Sequence, residues 1–218
     1  MIRLPHTLYK LTLIALLSLG LMACQSAYYS AMESVGMHKR DILTSRIEGV
    51  RDAQVDAKEQ FRDALDRFSQ ELGYNGGELQ SVYENLHDAY EDSQQEADNV
   101  SRRIDEVEDV AEALFAEWED ELEQYSSASL RRESQSQLRD TRKQYKNMLV
   151  TMRSAESKMA PVLKTFNDQV LYLKHNLNAR AIGSLKAEFG GLRRDINTLI
   201  ARMEESIAES DKFIKNLK

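Results

Sequence analysis

The sequence predicts an all-α protein, an elongated antiparallel bundle of long helices that pack as coiled coils. Three observations indicate this class. The 218 residues include only nine glycines and two prolines, and 30 % of them are charged, a composition typical of long helices. Apolar residues alternate at spacings of three and four over long stretches, as in a heptad seam. Gly-, Ser- and Asn-rich clusters interrupt this pattern at three places, residues 72–77, 125–129 and 175–180, which are the expected turns.

The first 23 residues have the pattern of a secretory signal peptide rather than of a folded element. Arg3 and Lys10 carry the early positive charges, and residues 11–22, "LTLIALLSLGLM", form an apolar run. This run is too short for an ordinary transmembrane helix, which needs about 20 apolar residues. It ends in small residues, as a signal-peptide cleavage site does. We therefore expect residues 1–23 to be removed from the mature protein.

The end of this segment resembles the lipobox of bacterial lipoprotein precursors. The motif is "LMAC", in which Leu21, Met22 and Ala23 precede Cys24, the only cysteine of the chain. The resemblance implies that the Cys24 thiol receives a diacylglyceryl group, that cleavage occurs before Cys24, and that the new amine is acylated with a fatty acid such as palmitate. Two or three acyl chains would hold the protein firmly at a membrane, because each buried CH₂ contributes about 0.8 kcal/mol. The alternatives are an ordinary signal peptide with a chance cysteine and a weak buried helix.

Residues 24–40 are predicted to be a membrane-proximal tether that leads into a helical bundle of residues 41–218. Gln25, not aspartate, follows the cysteine. In bacteria with two membranes this resembles lipoproteins that are released to the outer membrane, so we expect an anchor that faces the periplasm. The aromatic and basic residues of "SAYYSAMESVGMHKR", residues 26–40, suit a membrane interface as well as they suit a plain tether.

The first helix is indicated by a loose apolar stripe and is expected to begin near residue 28. The stripe consists of Leu43, Ile47, Val50, Ala57, Phe61, Leu65, Phe68 and Leu72. It ends at "GYNGGE", residues 73–78, where the glycines predict a turn. In this turn Asn75 and Glu78 have the spacing of the N-cap and N3 residues of the next helix.

The second helix is predicted by the most regular seam of the chain. Its positions alternate by four and three residues for more than five heptads, with Ser93 as the one polar interruption. They are Leu79, Tyr83, Leu86, Tyr90, Ser93, Ala97, Val100, Ile104, Val107, Ala111, Leu114 and Trp118. Such a seam predicts one helix of about 48 residues, close to 70 Å long at ~1.5 Å per residue.

Two further seams predict a third and a fourth helix. The third contains Leu138, Thr141, Tyr145, Met148, Met152, Ala155, Met159, Val162 and Phe166. Pro161 lies inside it, so we expect a kink or a short break near Met159. The fourth contains Ile182, Leu185, Phe189, Leu192, Ile196, Leu199, Met203, Ile207, Ile214 and Leu217. Short links favour an up-down bundle of four helices. A continuous helix through residues 175–182 would instead give a three-helix, spectrin-like layout.

The charge distribution supports a hairpin between the second and third helices. Residues 78–125 carry seventeen acidic and two basic side chains, whereas residues 126–182 carry eleven basic and four acidic ones. Folded back at residues 125–129, these blocks would face each other. Exposed pairs contribute only ~0–1 kcal/mol each, so they select the register more than they stabilise it. The net charge of the whole chain is −7, which argues against nucleic-acid binding.

The sequence carries no familiar catalytic or nucleotide-binding motif. The patterns G-x-x-x-x-G-K-[ST], G-x-S-x-G, H-E-x-x-H and C-x-x-C are all absent from the 218 residues. We therefore expect no enzyme activity, no bound nucleotide, no cofactor and no metal site. The acids Glu106, Glu108, Asp109 and Glu112 could bind a hard cation weakly, but carboxylates along a helix are usually solvated surface charge.

The stretch "DQVLYLKHNLNARAIGSL", residues 168–185, is the candidate binding surface. It concentrates polar side chains between apolar ones, namely Tyr172, Lys174, His175, Asn176, Asn178 and Arg180. One interpretation is a recognition surface for a partner protein or a glycan at one end of the bundle. The other, which we favour, is a corner between two helices, with Asn178 as a cap and the basic side chains in solvent.

The mature chain as a whole resembles a group of bacterial coiled-coil lipoproteins that is known only as a domain of unknown function. The stretches "YYSAMESVGMHKRDIL", "VEDVAEALFAEWEDEL", "YSSASLRRES" and "LYLKHNLNARAI" carry the resemblance. It implies no activity, ligand or catalytic residue. We expect a lipid-anchored rod at the outer membrane that serves as a scaffold, spacer or adaptor, with an envelope protein partner or self-association. The main rival is a lipid- or envelope-polymer-binding module whose bundle opens, and an enzyme of unrecognised type comes third.

Overall fold

A computed structural model describes residues 38–73 and 78–217 of the chain. These residues form four α-helices and no β-strand: α1 (Lys39–Glu71), α2 (Leu79–Leu122), α3 (Ala128–His175) and α4 (Ala179–Leu217). The chain divides into two compact units, Met1–Ile42 and Leu43–Lys218, and the bundle described below belongs to the second unit. The predicted signal peptide, the lipobox with Cys24, residues 24–37 of the tether and Asn75 lie outside the described residues.

The four helices pack side by side with alternating direction. One side-chain contact of 2.8 Å joins each successive pair of helices: Arg46 with Glu106 for α1 and α2, Trp118 with Ser134 for α2 and α3, and Gln144 with Asn216 for α3 and α4. The first and last helices also meet, because Arg51 of α1 lies 3.4 Å from Asp211 of α4. A second α2–α3 contact, Ser101 with Glu156 at 2.6 Å, pairs a lower number on α2 with a higher one on α3, as antiparallel helices require. The predicted four-helix bundle is confirmed. The three-helix alternative is wrong, because the chain leaves the helix at residues 176–178.

The predicted seams form the core of the bundle. Leu86, Val100 and Ile104 of α2 and Met148 and Met152 of α3 are all 0 % exposed. The predicted seam residues Leu79, Tyr83, Tyr90, Trp118, Thr141 and Phe189 are half-buried. Residues beside the seam are buried as well, among them Val82, Ala89, Val110 and Phe115. Such a stripe is wider than a two-stranded coiled coil needs, and it suits a helix with two neighbours in a four-helix bundle.

Aromatic rings connect three of the helices near the α3–α4 end of the core. Phe68 of α1 stacks on Phe189 of α4, with 5.4 Å between the ring centroids. Phe68 also meets the edge of Phe166 of α3 at 5.8 Å. Phe68 and Phe166 are both 0 % exposed, so burial of these rings ties α1 to both α3 and α4.

Of the kink or short break predicted near Met159, the break is wrong, because α3 continues through Pro161 to His175. Proline removes one backbone donor and leaves the carbonyl four residues earlier without its helical partner. Pro161 lies on the exposed face of α3, where water can bond that carbonyl. The Thr165 hydroxyl donates to the Pro161 carbonyl at 3.1 Å. Proline is therefore tolerated here because the face on which it lies is solvated.

The starts of α2 and α3 differ in how their first turns are capped. Glu78 occupies the N-cap position of α2, with φ −91° and no side-chain cap bond, so its predicted N3 role is wrong. The helix has 44 residues rather than about 48. α3 begins after Ser127, whose hydroxyl accepts a hydrogen bond from the Leu130 backbone N–H at 3.4 Å.

Candidate binding surface at the α3–α4 corner

The corner between α3 and α4 is built by two asparagines. α3 ends at His175, and the Asn176 backbone N–H donates to the Leu173 carbonyl at 3.0 Å. Asn178 then caps α4, because its Oδ1 accepts hydrogen bonds from the backbone N–H groups of Arg180 at 3.0 Å and Ala181 at 3.2 Å. Asn178 therefore has the capping role that the sequence predicted for a helix corner.

The six predicted site residues all lie at this corner, but they differ in what they do. The Asn176 side chain donates to the Tyr172 carbonyl at 2.8 Å, and the Tyr172 hydroxyl donates to Ser184 Oγ at 3.4 Å. The side chains of Lys174, His175 and Arg180 are exposed. Lys174 and His175 occupy the last turn of α3, where positive charge complements the helix dipole. The two asparagines are thus structural, whereas the other four side chains remain accessible to a partner.

Large apolar side chains are exposed at the same corner. Leu171, Tyr172 and Leu177 have exposed fractions of 43 %, 40 % and 43 %. A single exposed apolar side chain needs no explanation, but three within seven residues concentrate exposed apolar surface at this corner. We call Leu171, Tyr172 and Leu177 the corner patch. The corner therefore exposes polar and basic side chains together with the corner patch, and an interface with a protein often combines such residues.

A groove lies beside the corner patch, between α3 and α4. Its volume is about 400 Å³, and it is lined by Thr165, Asp168, Gln169 and Tyr172 of α3 and by Ser184, Leu185 and Glu188 of α4. We call it the α3–α4 groove. Only Tyr172 among these residues was a predicted site residue. The residues of the α4 wall were not predicted as site residues. They lie 12 or more positions after Tyr172, and only the pairing of α3 with α4 brings the two walls together.

The oppositely charged blocks of α2 and α3 do face each other, as their charge predicted. Arg142 meets Glu119 at 2.6 Å, and Arg153 bonds Asp105, Glu108 and Glu156. Burial alone would lower the pKa of Arg153, but its hydrogen bonds to the three carboxylates outweigh this and raise it. The hydrogen bond from Arg142, together with its charge, lowers the pKa of Glu119. The pairs with Glu119, Asp105 and Glu108 join the acidic block of α2 to the basic block of α3, whereas Glu156 belongs to α3 itself.

Arginine side chains pair with two of the acids that could have bound a hard cation. Glu106 accepts a hydrogen bond from Arg46 at 2.8 Å, and Glu108 is bonded by Arg153. Among the residues that the structure describes, no group of three or more His, Cys, Asp or Glu side chains could hold a metal ion. No helix within the described ranges has an apolar stretch of the length needed to cross a membrane.

A buried polar layer lies between α1 and α4. Gln54 and Ser206 are both 0 % exposed, and the two amide atoms of Gln54 and the Ser206 hydroxyl have no hydrogen-bond partner. Ser210, also buried, donates to the Ser206 carbonyl at 2.8 Å. The ion pairs Arg51–Asp211 and Lys58–Glu204 lie on either side along the helices, which places Gln54 level with the two serines. We call Gln54, Ser206 and Ser210 the polar layer.

The polar layer also corrects the predicted seam of α4. Ile207, which was predicted in the seam, is half-buried, whereas Ser206, Ser210 and Phe213 are buried. The seam therefore keeps its alternation of three and four residues from Met203 onward but passes through two serines. A hydrogen bond that a buried polar atom fails to make costs about 1–3 kcal/mol. The polar layer is consequently a weak point in an otherwise apolar core.

Comparison with known proteins adds a family but no activity. The family model described as "Protein of unknown function (DUF2959)" matches residues 28–217, a range that includes all four helices, the corner patch and the groove. This agrees with the expectation of an uncharacterised family. No curated protein and no solved structure matches the chain.

Proposed function

The chain belongs to the DUF2959 family, and we propose that it acts as a lipid-anchored helical rod, a non-enzymatic adaptor or scaffold of the bacterial cell envelope. The observation that carries the proposal is the corner patch. Leu171, Tyr172 and Leu177 are exposed within seven residues at the α3–α4 corner, which holds three of the six large apolar side chains that are exposed among the described residues. An exposed apolar patch with a polar rim is what a protein-docking surface requires.

The anchor is the second part of this proposal and rests on the sequence. Cys24 follows Leu21, Met22 and Ala23 at the end of an apolar run, as in lipoprotein precursors. Gln25 favours the outer membrane and a periplasmic orientation in bacteria with two membranes. Metabolic labelling with a fatty acid tests the anchor. Label should appear in wild type and be lost in Cys24→Ser, and equal labelling of both would remove Cys24 from the proposal.

The lengths of the helices suit an adaptor that works away from its attachment point. α3 has 48 residues, which corresponds to about 72 Å at ~1.5 Å per residue. The antiparallel contacts between α2 and α3 run from Trp118–Ser134 to Ser101–Glu156, so the helices support each other over many turns. A long, laterally supported helix pair can hold a docking surface at a set distance from other parts of the chain.

The adaptor role is tested by cross-linking and affinity capture in cells with a tagged chain. A stoichiometric envelope partner should be captured by wild type, and capture should fall strongly in Cys24→Ser and in the double variant Leu171→Ser with Leu177→Ser. Val150→Ser is the matched control, because Val150 is 68 % exposed on the same α3 helix outside the corner. Capture that is insensitive to the corner substitutions would refute the corner as the docking surface.

A second candidate function is lipid or envelope-polymer binding by a bundle that opens, and the polar layer favours it. The unpaired polar atoms of Gln54 and Ser206 weaken the contact between α1 and α4, so separation of α1 would cost less here than in an apolar core. An opening bundle should bind a hydrophobic dye and lipid vesicles under native conditions, and Gln54→Leu should reduce both. A native chain that binds neither dye nor vesicles contradicts this second function.

A further inference from the structure

We infer that the chain forms a parallel homodimer, in which the side of the bundle made by α2 and α3 packs against the same side of a second copy. The two-fold axis runs parallel to the helices, so that α2 of each copy lies opposite α3 of the other. The inference depends neither on the lipid anchor nor on the corner patch. It rests on the charges along this side of the bundle, on their register and on the area that they cover.

Acidic side chains follow one line along α2. An acid occurs at every seventh position from residue 84 to residue 119, and all six acids are exposed. Residues seven positions apart lie on the same side of a helix, because seven residues make nearly two turns. We call these six residues the acidic stripe: Glu84, Glu91, Asp98, Asp105, Glu112 and Glu119.

Basic side chains follow a matching line along α3. They are also seven positions apart, and we call them the basic stripe: Arg132, Arg139, Lys146 and Arg153. Arg153 of the basic stripe meets Asp105 of the acidic stripe at 2.6 Å. Both stripes therefore border the surface where α2 and α3 adjoin, and we call this surface the α2–α3 face. Its α2 half is acidic and its α3 half is basic.

The two stripes are in register. The ion pair of Asp105 with Arg153 defines one level along the antiparallel helices. Glu112 lies one heptad after Asp105, and Lys146 lies one heptad before Arg153, so these two side chains share the next level. A further heptad brings the last acid of the acidic stripe level with Arg139. Each of these levels of the face thus carries an acid on α2 and a base on α3.

Most of these charges are not neutralised within the chain. Among the described residues, Asp105–Arg153 is the only ion pair that joins the two stripes. Glu112, Arg139 and Lys146 are exposed, and none of them forms an ion pair with a described residue. Successive members of one stripe are about 10 Å apart, close to the Debye length, so their like charges still repel one another. An oppositely charged surface at the same spacing would remove this repulsion.

The α2–α3 face of a second copy is such a surface, and only one orientation fits. Rotation by 180° about an axis parallel to the helices places the acidic stripe of each copy opposite the basic stripe of the other, level by level. A two-fold axis across the helices would instead place acidic stripe on acidic stripe, which like charges oppose. The parallel arrangement is a closed, isologous dimer. It also leaves both chains entering their bundles from the same end, as two copies anchored in one membrane would.

The face is large enough for such a dimer. The acidic stripe is about 50 Å long, and two adjacent helices are about 20 Å wide. A contact over this area would bury about 1,000 Å² of each copy, whereas a standard protein interface buries about 800 Å² of each partner. Exposed charge pairs contribute only ~0–1 kcal/mol each, so we expect a micromolar dissociation constant that depends on salt.

Sedimentation equilibrium of the purified full chain tests the dimer. The mass should rise from that of one chain to that of two over micromolar concentrations at about 50 mM salt, and association should weaken at least about tenfold at about 500 mM salt. Arg139→Glu with Lys146→Glu should also weaken it at least about tenfold. A chain that stays monomeric at both salt concentrations, or association that survives these substitutions, would overturn the inference.

The matched control is Lys186→Glu with Arg193→Glu. It reverses two exposed basic residues, again seven positions apart, on α4, and it should associate within about twofold of wild type. Equal weakening in both double variants would reduce the effect to net charge and contradict the α2–α3 face.

A complementary variant tests the pairing itself. Asp109→Lys with Glu112→Lys reverses two exposed acids of α2 and should associate as weakly as Arg139→Glu with Lys146→Glu does. An equimolar mixture of the two double variants should associate at least as tightly as wild type, because the reversed α2 of one then meets the reversed α3 of the other. A mixture that stays monomeric would contradict this pairing.

Cross-linking of single cysteines tests the orientation, in a Cys24→Ser background because Cys24 is the only cysteine. Gln135 and Ala160 are exposed on α3, and they lie one heptad before Arg142 and one heptad after Arg153, on the side toward α2. About 37 Å separate them. In a parallel dimer, Gln135→Cys and Ala160→Cys should each link to their own copy through a short bismaleimide, whereas an antiparallel dimer allows at most one of these links. Linkage at one position only, or at neither, would overturn the parallel dimer.

Discussion

Replacing Gln54 by leucine should stabilise the bundle. Gln54 is 0 % exposed, and neither atom of its amide has a hydrogen-bond partner. An amide buried without partners costs about 1–3 kcal/mol, judged from mutations in proteins. Leucine occupies a similar volume, has no polar atoms and favours a helix at least as well as glutamine. We therefore expect Gln54→Leu to raise the free energy of unfolding by about 1–3 kcal/mol.

This gain is large enough to measure by ordinary denaturation. For a chain of 150–250 residues, 1 kcal/mol shifts Tm by about 2–4 °C, so a gain near 2 kcal/mol should raise Tm by roughly 4–8 °C. Urea unfolding of the purified full chain, followed by circular dichroism, should show a higher midpoint with an unchanged m-value. An unchanged m-value indicates that the variant unfolds the same amount of surface.

The control for this experiment is Gln70→Leu, because Gln70 is an exposed glutamine of the same helix. Its unfolding free energy should change by no more than about 0.5 kcal/mol. If Gln54→Leu destabilises the chain by more than 1 kcal/mol, as estimated for loss of a satisfied buried group, the Gln54 amide has a partner and the reasoning is refuted. An equal gain in Gln70→Leu would attribute the effect to helix propensity instead.

Three further predictions address the helix interior, the corner and the charged face. Pro161→Ala should stabilise the chain by about 1–3 kcal/mol in urea unfolding, since it restores one backbone donor at an exposed position of α3; destabilisation would mean that the ring packs against a neighbour. Asn178→Ala should lower the free energy of unfolding by about 1 kcal/mol because it removes the cap of α4, whereas Asn178→Asp should retain most of it; equal losses in both would contradict a capping role. Glu119→Gln should lower Tm near neutral pH and have no effect once the pH falls below the folded-state pKa of Glu119. Arg142 lowers that pKa, so the Arg142–Glu119 pair stabilises the folded chain fully above the unfolded-state pKa of Glu119. This stabilisation is lost as the pH falls through the folded-state pKa. A Tm difference that persists in acid would show that the effect of Glu119→Gln does not come from the ion pair.

The sequence was sufficient to predict the helices and their buried faces. Leu86, Val100 and Ile104 follow each other at heptad spacings, and all three are 0 % exposed in the bundle. Helix periodicity is a local property, because a residue's angle around the helix depends only on its position along the chain. The cap at Asn178 was predictable for the same reason, since its partners are the next two or three residues.

Hydropathy by itself predicted the wrong buried residues at some positions of α4 and α1. Ile207 is apolar and was assigned to the seam, but Ser206 and Ser210 occupy the buried positions. The alternation of three and four residues, continued from Met203, leads to these serines. On α1, likewise, Ala64 is buried at 1 % exposure and Leu65 is half-buried. In both cases the helix angle, and not side-chain polarity, decided which residue is inside.

The sequence predicted the α3–α4 corner as a candidate site but not the groove beside it. The stretch from residue 168 to residue 185 includes the corner and most of both walls of the groove, but Thr165 and Glu188 lie outside it, and Glu188 had no feature that distinguished it from other surface acids. Glu188 lines the same groove as Asp168, and that common position depends on the α3–α4 register. The buried Gln169 oxygen without a hydrogen-bond partner is equally a property of the packed bundle.

One physical reason separates the features that the sequence predicted from those that it did not. Periodicity, caps and turn residues act over a few neighbouring positions, so the sequence by itself determined four amphipathic helices and the corner that joins the last two. Which polar groups meet across helices depends on one register for each helix pair, and that register is set by the packing of all their side chains together. Tertiary structure alone therefore decided that Gln54 is buried level with Ser206 and Ser210 without a hydrogen-bond partner, and that Asp168 and Glu188 line one groove.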